Sequence, residues 1–389
     1  MARVYWEMKN LGRAKDYLLR ALELRNDFEP ALVYLAYYYE QQKEFDMVEK
    51  YYLKILDINP DNSEIRDKLI KFYVAQDKPA QAKEQLRMLY AQDFSEVQLN
   101  KHMGMVYYEL KKYEQAVLYF QEGLSKNPQE MELRYYVGVC WVELKKYDQA
   151  LAEFKMIPPG GAMYVEALVQ MSYVYSQTQR LPEAIEVLKN AADKRPKDDR
   201  LYFFLGLAYS RAEQYPETIK VLQQAVQLDP KNDEYHYYLG SAYERNKQMD
   251  KAEESFRKVL ELNPQNANAL NYLGYMFADA NSHLQESVEL IKKALAIEPD
   301  NGAFVDSLGW AYFRLGRFGE ALELLLKAAE LVKDDATIYE HLGDIYYQQK
   351  KIHKSIEYWE KSIKIDPKNK AVQERLEKAK EELKIKTGL

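Results

Sequence analysis

The chain has 389 residues, 55 basic and 61 acidic, with a net charge of −6 and a pI near 5.7. At 47% hydrophobic and 30% charged, with 15 Gly and 13 Pro, it matches neither a disordered nor a β-rich chain. The charges of both signs are interspersed and form no basic stripe, which argues against nucleic acid or an anionic membrane surface as the main partner.

Met1 and Ala2 enter a pattern already in progress. Tyr5, Ala14, Leu18 and Ala21 fall on positions that recur down the chain, while the opening positions of their unit are missing. The first unit is therefore expected to be incomplete, with either an abbreviated first helix or further sequence upstream. Any export signal or lipid anchor would stand there.

Downstream, one column runs Asn26, Pro60, Phe94, Pro128, Ala162, Pro196, Pro230, Pro264, Pro299, Lys333 and Pro367. Its steps are 34 residues, except for the 35 between Pro264 and Pro299. A small-residue column precedes it in most units: Ala36, Gly104, Gly138, Ser172, Gly206, Gly240, Gly274, Gly309 and Gly343. Three residues beyond this small position runs an aromatic column: Tyr5, Tyr39, Tyr73, Tyr107, Trp141, Tyr175, Tyr209, Tyr243, Phe277, Tyr312 and Tyr346. A second column, Ala14, Val48, Ala82, Ala116, Ala150, Ala184, Thr218, Ala252, Ser287, Ala321 and Ser355, holds no large residue.

These columns predict two antiparallel helices per unit. A small residue in each helix lets the two backbones approach, and the aromatic residue one turn on fills the wedge between neighbouring units. Proline ends the second helix, and the segments LDPKND, LNPQNA and IEPDNG provide Asp and Asn for the turn and the next helix start. In FKMIPPGGAMYVEAL, Pro158, Pro159, Gly160 and Gly161 should shorten the second helix and leave a loop. The extra residue within YMFADANSHLQES should lengthen the turn inside its unit. After Pro367 the small and aromatic positions become Glu377 and Lys380, which predicts a polar capping helix over 368–389.

A period this long marks a stacked-repeat protein. Over roughly residues 1 to 370 the columns resemble the tetratricopeptide repeat family, with its Leu-Gly, Tyr, Ala, Phe or Leu, Ala and Pro pattern. The expected fold is all-α: a right-handed α-solenoid of about eleven helix-turn-helix units over 1–367, followed by the cap.

No catalytic or cofactor chemistry is legible. The histidines 102, 236, 283, 341 and 353 form no HExxH or metal-spaced cluster, and PPGG precedes no Walker-type lysine, so no cofactor or metal is expected. Cys140, beside Trp141 in a first helix, reads as a small buried apolar residue. No apolar run reaches the ~20 residues that span a bilayer, so direct membrane insertion is not expected.

By resemblance, first helices line the concave face, to which helix geometry sends three positions per unit. The candidate partner-binding residues there are Tyr108, Tyr135, Tyr173, Phe203, Tyr237, Asn271, Tyr275, Asp306, Trp310 and Asp344. Between Met105 and Ser210 these positions carry no charge; towards the C-terminus they become acidic and aromatic, suited to an extended or basic peptide. The carboxylate clamp of chaperone-binding family members is absent: Lys101 is followed on its helix by Met105, and the next unit offers Tyr135 and Tyr136.

A narrower resemblance lies in residues 269–328, with FKMIPPGGAMYVEAL, IYEHLGDIYYQQ and YWEKSI. These are similar to a bacterial subgroup that is often exported and lipid-anchored, including an adaptor that activates a carboxyl-terminal processing protease. The resemblance implies a protein-binding scaffold, placed at the periplasmic face of the outer membrane if a lipoprotein signal lies upstream and in the cytoplasm otherwise. Self-association is the alternative, since an incomplete first unit invites a helix from a second copy.

Overall fold

The structure, a computed structural model, describes residues 1–90 and 94–387. Among these residues all regular structure is helical. First helices alternate with second helices in eleven pairs: α1 (Ala2–Glu7) with α2 (Leu11–Leu24), α3 (Glu29–Gln41) with α4 (Phe45–Ile58), α5 (Ser63–Ala75) with α6 (Pro79–Tyr90), and α7 (Glu96–Glu109) with α8 (Tyr113–Lys126). Next come α9 (Met131–Glu143) with α10 (Tyr147–Lys155), α11 (Tyr164–Gln177) with α12 (Leu181–Lys194), α13 (Asp199–Arg211) with α14 (Tyr215–Leu228), and α15 (Asp233–Arg245) with α16 (Met249–Leu262). The last pairs are α17 (Ala267–Asp279) with α18 (Leu284–Ile297), α19 (Gly302–Arg314) with α20 (Phe318–Leu331), and α21 (Ala336–Gln348) with α22 (Ile352–Ile365), before α23 (Lys370–Thr387). Gly388 and Leu389, at the end of the expected cap, lie outside the described residues.

The helices form two compact units, Met1–Val187 and Leu188–Leu389, with the boundary inside α12. Each unit is a stack of helix pairs with its own apolar core. In unit one the core includes Leu69, Met103, Phe120 and Leu133; in unit two it includes Phe256, Leu273, Leu325 and Leu342.

Glycine in the first helix permits the close approach within a pair. A Cβ on Gly104 or Gly138 would collide with the ring of Phe120 or Phe154, and one on Gly343 would collide with the Trp359 indole. In the small-residue column the bulky group lies sixteen residues on, and in the pair containing the extra residue it is Ile291, seventeen beyond Gly274. Each Phe or Trp so covered contributes roughly 2–3 kcal/mol of burial.

The aromatic column packs on the second helix as well. Tyr39 stacks on Tyr51, Tyr107 on Tyr119 and Tyr346 on Tyr358, with centroids 5.1–5.6 Å apart. A cation five residues after the column position covers the ring in several pairs, for example Arg180 over Tyr175 at 4.8 Å and Arg317 over Tyr312 at 4.2 Å.

The turn within each pair has a signature that composition hides. Lys43, Asp77, Lys111, Lys145, Gln179, Glu213, Lys247, Asn281 and Lys350 adopt left-handed backbone, φ 53 to 60°, at one fixed place in the repeat; Gly316 takes that place in the tenth pair. The amide three residues past the helix bonds back to the aromatic column, as from Lys146 to the Trp141 carbonyl at 2.8 Å. The extra residue falls in one such turn, where both Asn281 and His283 are left-handed before α18 begins.

Helix starts are capped as their composition predicts. Asn232, Asn266 and Asn301 accept hydrogen bonds from backbone amides of α15, α17 and α19, each worth about 1 kcal/mol. Ahead of PPGG, α10 has only 9 residues, and the chain then runs irregularly to Tyr164.

Two glycines give opposite expectations. Gly343→Ala places a methyl against the Trp359 indole and should lower stability by about 1–3 kcal/mol. Gly12→Ala, in α2 with nothing within 4 Å of the new methyl, should raise it by roughly 0.5–1 kcal/mol. Urea midpoints followed by far-ultraviolet circular dichroism would measure both.

Candidate functional site

A cluster of aromatic and charged side chains lies in unit two, on the first helices α17, α19 and α21, on α22 and on α23. There Tyr275, Asp279, Trp310, Phe313, Arg314, Glu340, His341, Asp344, Tyr347, Trp359, Arg375 and Lys378 line a cavity of about 450 Å³.

Helix period brings these groups together. Asp306 and Trp310 are four residues apart on α19, as Glu340 and Asp344 are on α21, so each pair shares a face. Both helices are held by the packing of Gly309 against Leu325 and of Gly343 against Trp359.

Two charged constellations result. In the first, His341 Nδ1 lies 3.0 Å from each carboxylate oxygen of Asp306, with His341 4% and Asp306 5% exposed. The Trp310 indole, 7% exposed, stacks on the imidazole at 4.1 Å and on the Phe313 ring at 4.9 Å. Burial disfavours the imidazolium, but the charge and hydrogen bond of Asp306, joined by Asp344 and Glu340, outweigh burial and raise the His341 pKa above its ordinary value.

In the second, Arg375 on α23 donates from Nη1 to both Asp344 oxygens, at 2.6 and 2.5 Å, and from Nη2 to Glu340. Trp359 Nε1 donates to Asp344 at 3.0 Å, and Asn369 Nδ2 donates to Glu340 at 3.0 Å. Burial pushes the Asp344 carboxyl above its usual range, while Arg375 and His341 pull it down. The cap is anchored by apolar contacts too, with Val372, Leu376 and Ala379 buried beside Ile352 and Trp359.

Of the residues expected from the sequence, Tyr275, Trp310 and Asp344 line this cavity, and Asp306 is bonded to the cavity residue His341. Phe203, Tyr237 and Asn271 belong to unit two but do not line the cavity. Phe203 is core, 4.9 Å from the Tyr235 ring; Tyr237 is half-buried against Phe256 at 5.6 Å; Asn271 keeps a buried Oδ1 without a partner.

Tyr108, Tyr135 and Tyr173 lie in unit one. Tyr108 packs against Tyr113 at 5.5 Å and Tyr135 against Tyr136 at 5.5 Å, both half-buried. Tyr173 is 42% exposed. Cys140 is fully buried, and burial with the nearby Glu143 charge pushes its thiol up to about 12.

Sequence reasoning did not find His341 or Arg375. Lone residues in a helical pattern carry no ligand spacing; the one available signal was that His341 follows Asp306 by one repeat step plus one residue, placing both at the same depth in adjacent first helices. Among the described residues, no group of three or more His, Cys, Asp or Glu is arranged to hold a metal ion, and no helix is long and apolar enough to cross a membrane.

The Asp306–His341 pair makes stability depend on pH. A raised folded pKa means that its contribution is complete below the ordinary imidazole value of 6.5 and is lost as pH rises through the higher folded value. His341→Gln should flatten the fall in urea midpoint over that range; an identical fall in the variant would remove the pair as its cause. Arg375→Ala leaves Asp344 and Glu340 uncompensated and should loosen α23 by about 1–3 kcal/mol, read as faster amide exchange in that helix.

Comparisons with known proteins agree with this geometry. A tetratricopeptide repeat family model matches residues 102–162, 170–233, 205–267 and 250–302, and further models of the same repeat match 1–28, 30–62, 309–350 and 336–369. In fold the chain is similar to a tetratricopeptide repeat protein from Parabacteroides merdae, 16% identical over 64% of this chain and 99% of that one, with a TM-score of 0.55. It is also similar to a chain of the APC/C hetero-tetramer Cut9–Hcn1, 14% identical over 97% of this chain and 88% of that one, with a TM-score of 0.51. No curated protein matches the chain in sequence. Repeat models spanning most of its length, on paired helices with small residues at their crossings, place the chain in the tetratricopeptide repeat family.

Proposed function

We propose that the protein is a non-enzymatic scaffold that holds a polypeptide partner on its first-helix face, with the cavity of unit two as the anchor point. The observation that carries this reading is the convergence of Tyr275, Trp310, Phe313 and Tyr347 on a cavity of about 450 Å³ whose acids are largely paired within the fold. Tyrosine and tryptophan offer large contact area with a polar tip and little rotamer entropy to lose, so they dominate protein interfaces.

On this reading Tyr275 and Trp310 contact the partner, with Asp306 and Asp344 holding the walls in place. Tyr237 and Asn271 extend the surface towards α15, and Phe203 supports it from the core. Tyr108, Tyr135 and Tyr173 form a second contact region in unit one, where exposed Tyr173 contributes most.

The sharper form of the proposal is an adaptor for a bacterial carboxyl-terminal processing protease, acting at the periplasmic face of the outer membrane. It is supported by the resemblance of residues 150–367 to that subgroup, including the PPGG break after α10 and the lengthened turn before α18. Incubation with such a protease and a model substrate tests it: faster degradation is expected, and an unchanged rate would remove the adaptor role.

The scaffold reading has its own test. Affinity capture from the native source should yield a partner whose binding falls about tenfold or more in Tyr275→Ala and in Tyr173→Ala, with helical content retained. Unaltered capture by both variants would sink the proposal.

A further inference from the structure

The cavity of unit two is lined by residues carrying hydrogen-bond donors that the fold leaves unused. With Nδ1 of His341 committed to Asp306, Nε2 makes no hydrogen bond among the described residues. Trp310 Nε1 and Arg314 Nε are buried without partners. The Trp310 N–H is closed to water, whereas His341, 4% exposed, lines the cavity and opens its Nε2 there.

Asp306 determines what the imidazole offers. Because Nδ1–H donates to the carboxylate, a neutral ring presents Nε2 as an acceptor, whereas a protonated ring presents Nε2–H as a donor. The carboxylates around the ring favour the protonated form, in which Nε2–H seeks an acceptor.

Charge then selects the kind of acceptor. Asp306 of α19 and Glu340 and Asp344 of α21 act on the imidazole, and Asp279 of α17 lines the same cavity. Arg314 of α19, Arg375 and Lys378 of α23 and the imidazolium itself balance those four charges, while Tyr275 stays neutral. An ion entering this balanced site would lose hydration without a net field to recover it, so a neutral acceptor fits better. The rings of Tyr275 and Phe313 offer apolar area beside it.

We propose that this cavity is a binding site for a neutral amide carried on an aromatic or apolar group, its carbonyl oxygen taken by Nε2–H of His341. The proposal rests on the scaffold reading, since a polypeptide partner supplies such amides, yet it is a property of the cavity that small molecules probe directly.

The experiment uses the full chain with ¹³C-labelled histidine, benzamide as the probe, and benzoate and benzylamine as charged controls. The His341 resonance is assigned by its loss in His341→Gln. Benzamide should shift this resonance below the His341 titration midpoint seen in the same spectra, and the response should be lost above that midpoint. His341→Gln should abolish the binding, which intrinsic tryptophan fluorescence follows independently; if that variant does not fold, the wild-type pH comparison carries the test. Preference for benzoate or benzylamine, equal benzamide binding on both sides of the midpoint, or no response to any of the three would overturn the proposal. If benzamide fails while Tyr275→Ala still loses the captured partner, the amide site falls and the scaffold reading stands.

Discussion

The constraint on which the rest of the structure depends is the close approach of the two helices in each pair. A small residue in the first helix faces a bulky one in the second, as Gly138 faces Phe154 and Gly343 faces Trp359. That contact fixes how deeply one helix sits against the other. It thereby aligns the aromatic column with its stacking partner, as where Tyr107 meets Tyr119. Interiors of this density do not yield smoothly to added volume, so a stack of such pairs presents its first-helix faces in fixed register.

Fixed register lets charged residues of different helices meet. Buried ions persist only when paired, and the pairs here join different helices: Asp306 with His341 across α19 and α21, and Asp344 and Glu340 with Arg375 across α21 and α23. The cap therefore does more than shield the last pair from water. Its guanidinium neutralises two carboxylates at the edge of the cavity while Val372, Leu376 and Ala379 seal the core.

Much of the fold was legible because its determinants are local and repeated. Proline after the second helix, asparagine before the first, the shortened α10 and the lengthened turn before α18 each follow from backbone chemistry within a few residues. The left-handed turn residue was not legible. Lysine, glutamine and glutamate hold most of these positions, where only Gly316, Asn281 and Asp77 hint at it, because the closing hydrogen bonds of the turn offset the modest strain of a non-glycine residue there. At the site, the helical period put Tyr275, Asp306, Trp310 and Asp344 on first-helix faces. Yet Asp306 and Asp344 read as open acids, while the groups that neutralise them, His341 and Arg375, lie 35 and 31 residues further along the chain.

By itself the sequence determined the period, the pairing of helices and the residue types available on each face, since these depend on spacing along one helix or across one turn. Only the tertiary structure decided that Trp310 would lie between Phe313 and His341, that the cap would supply a guanidinium to the cavity, and that the apolar cores would gather into two compact units. Those outcomes depend on how neighbouring helix pairs cross and on which long side chains then reach one another. Residues at the same place in successive repeats look equivalent in sequence and become distinct only when packing gives each a different neighbour.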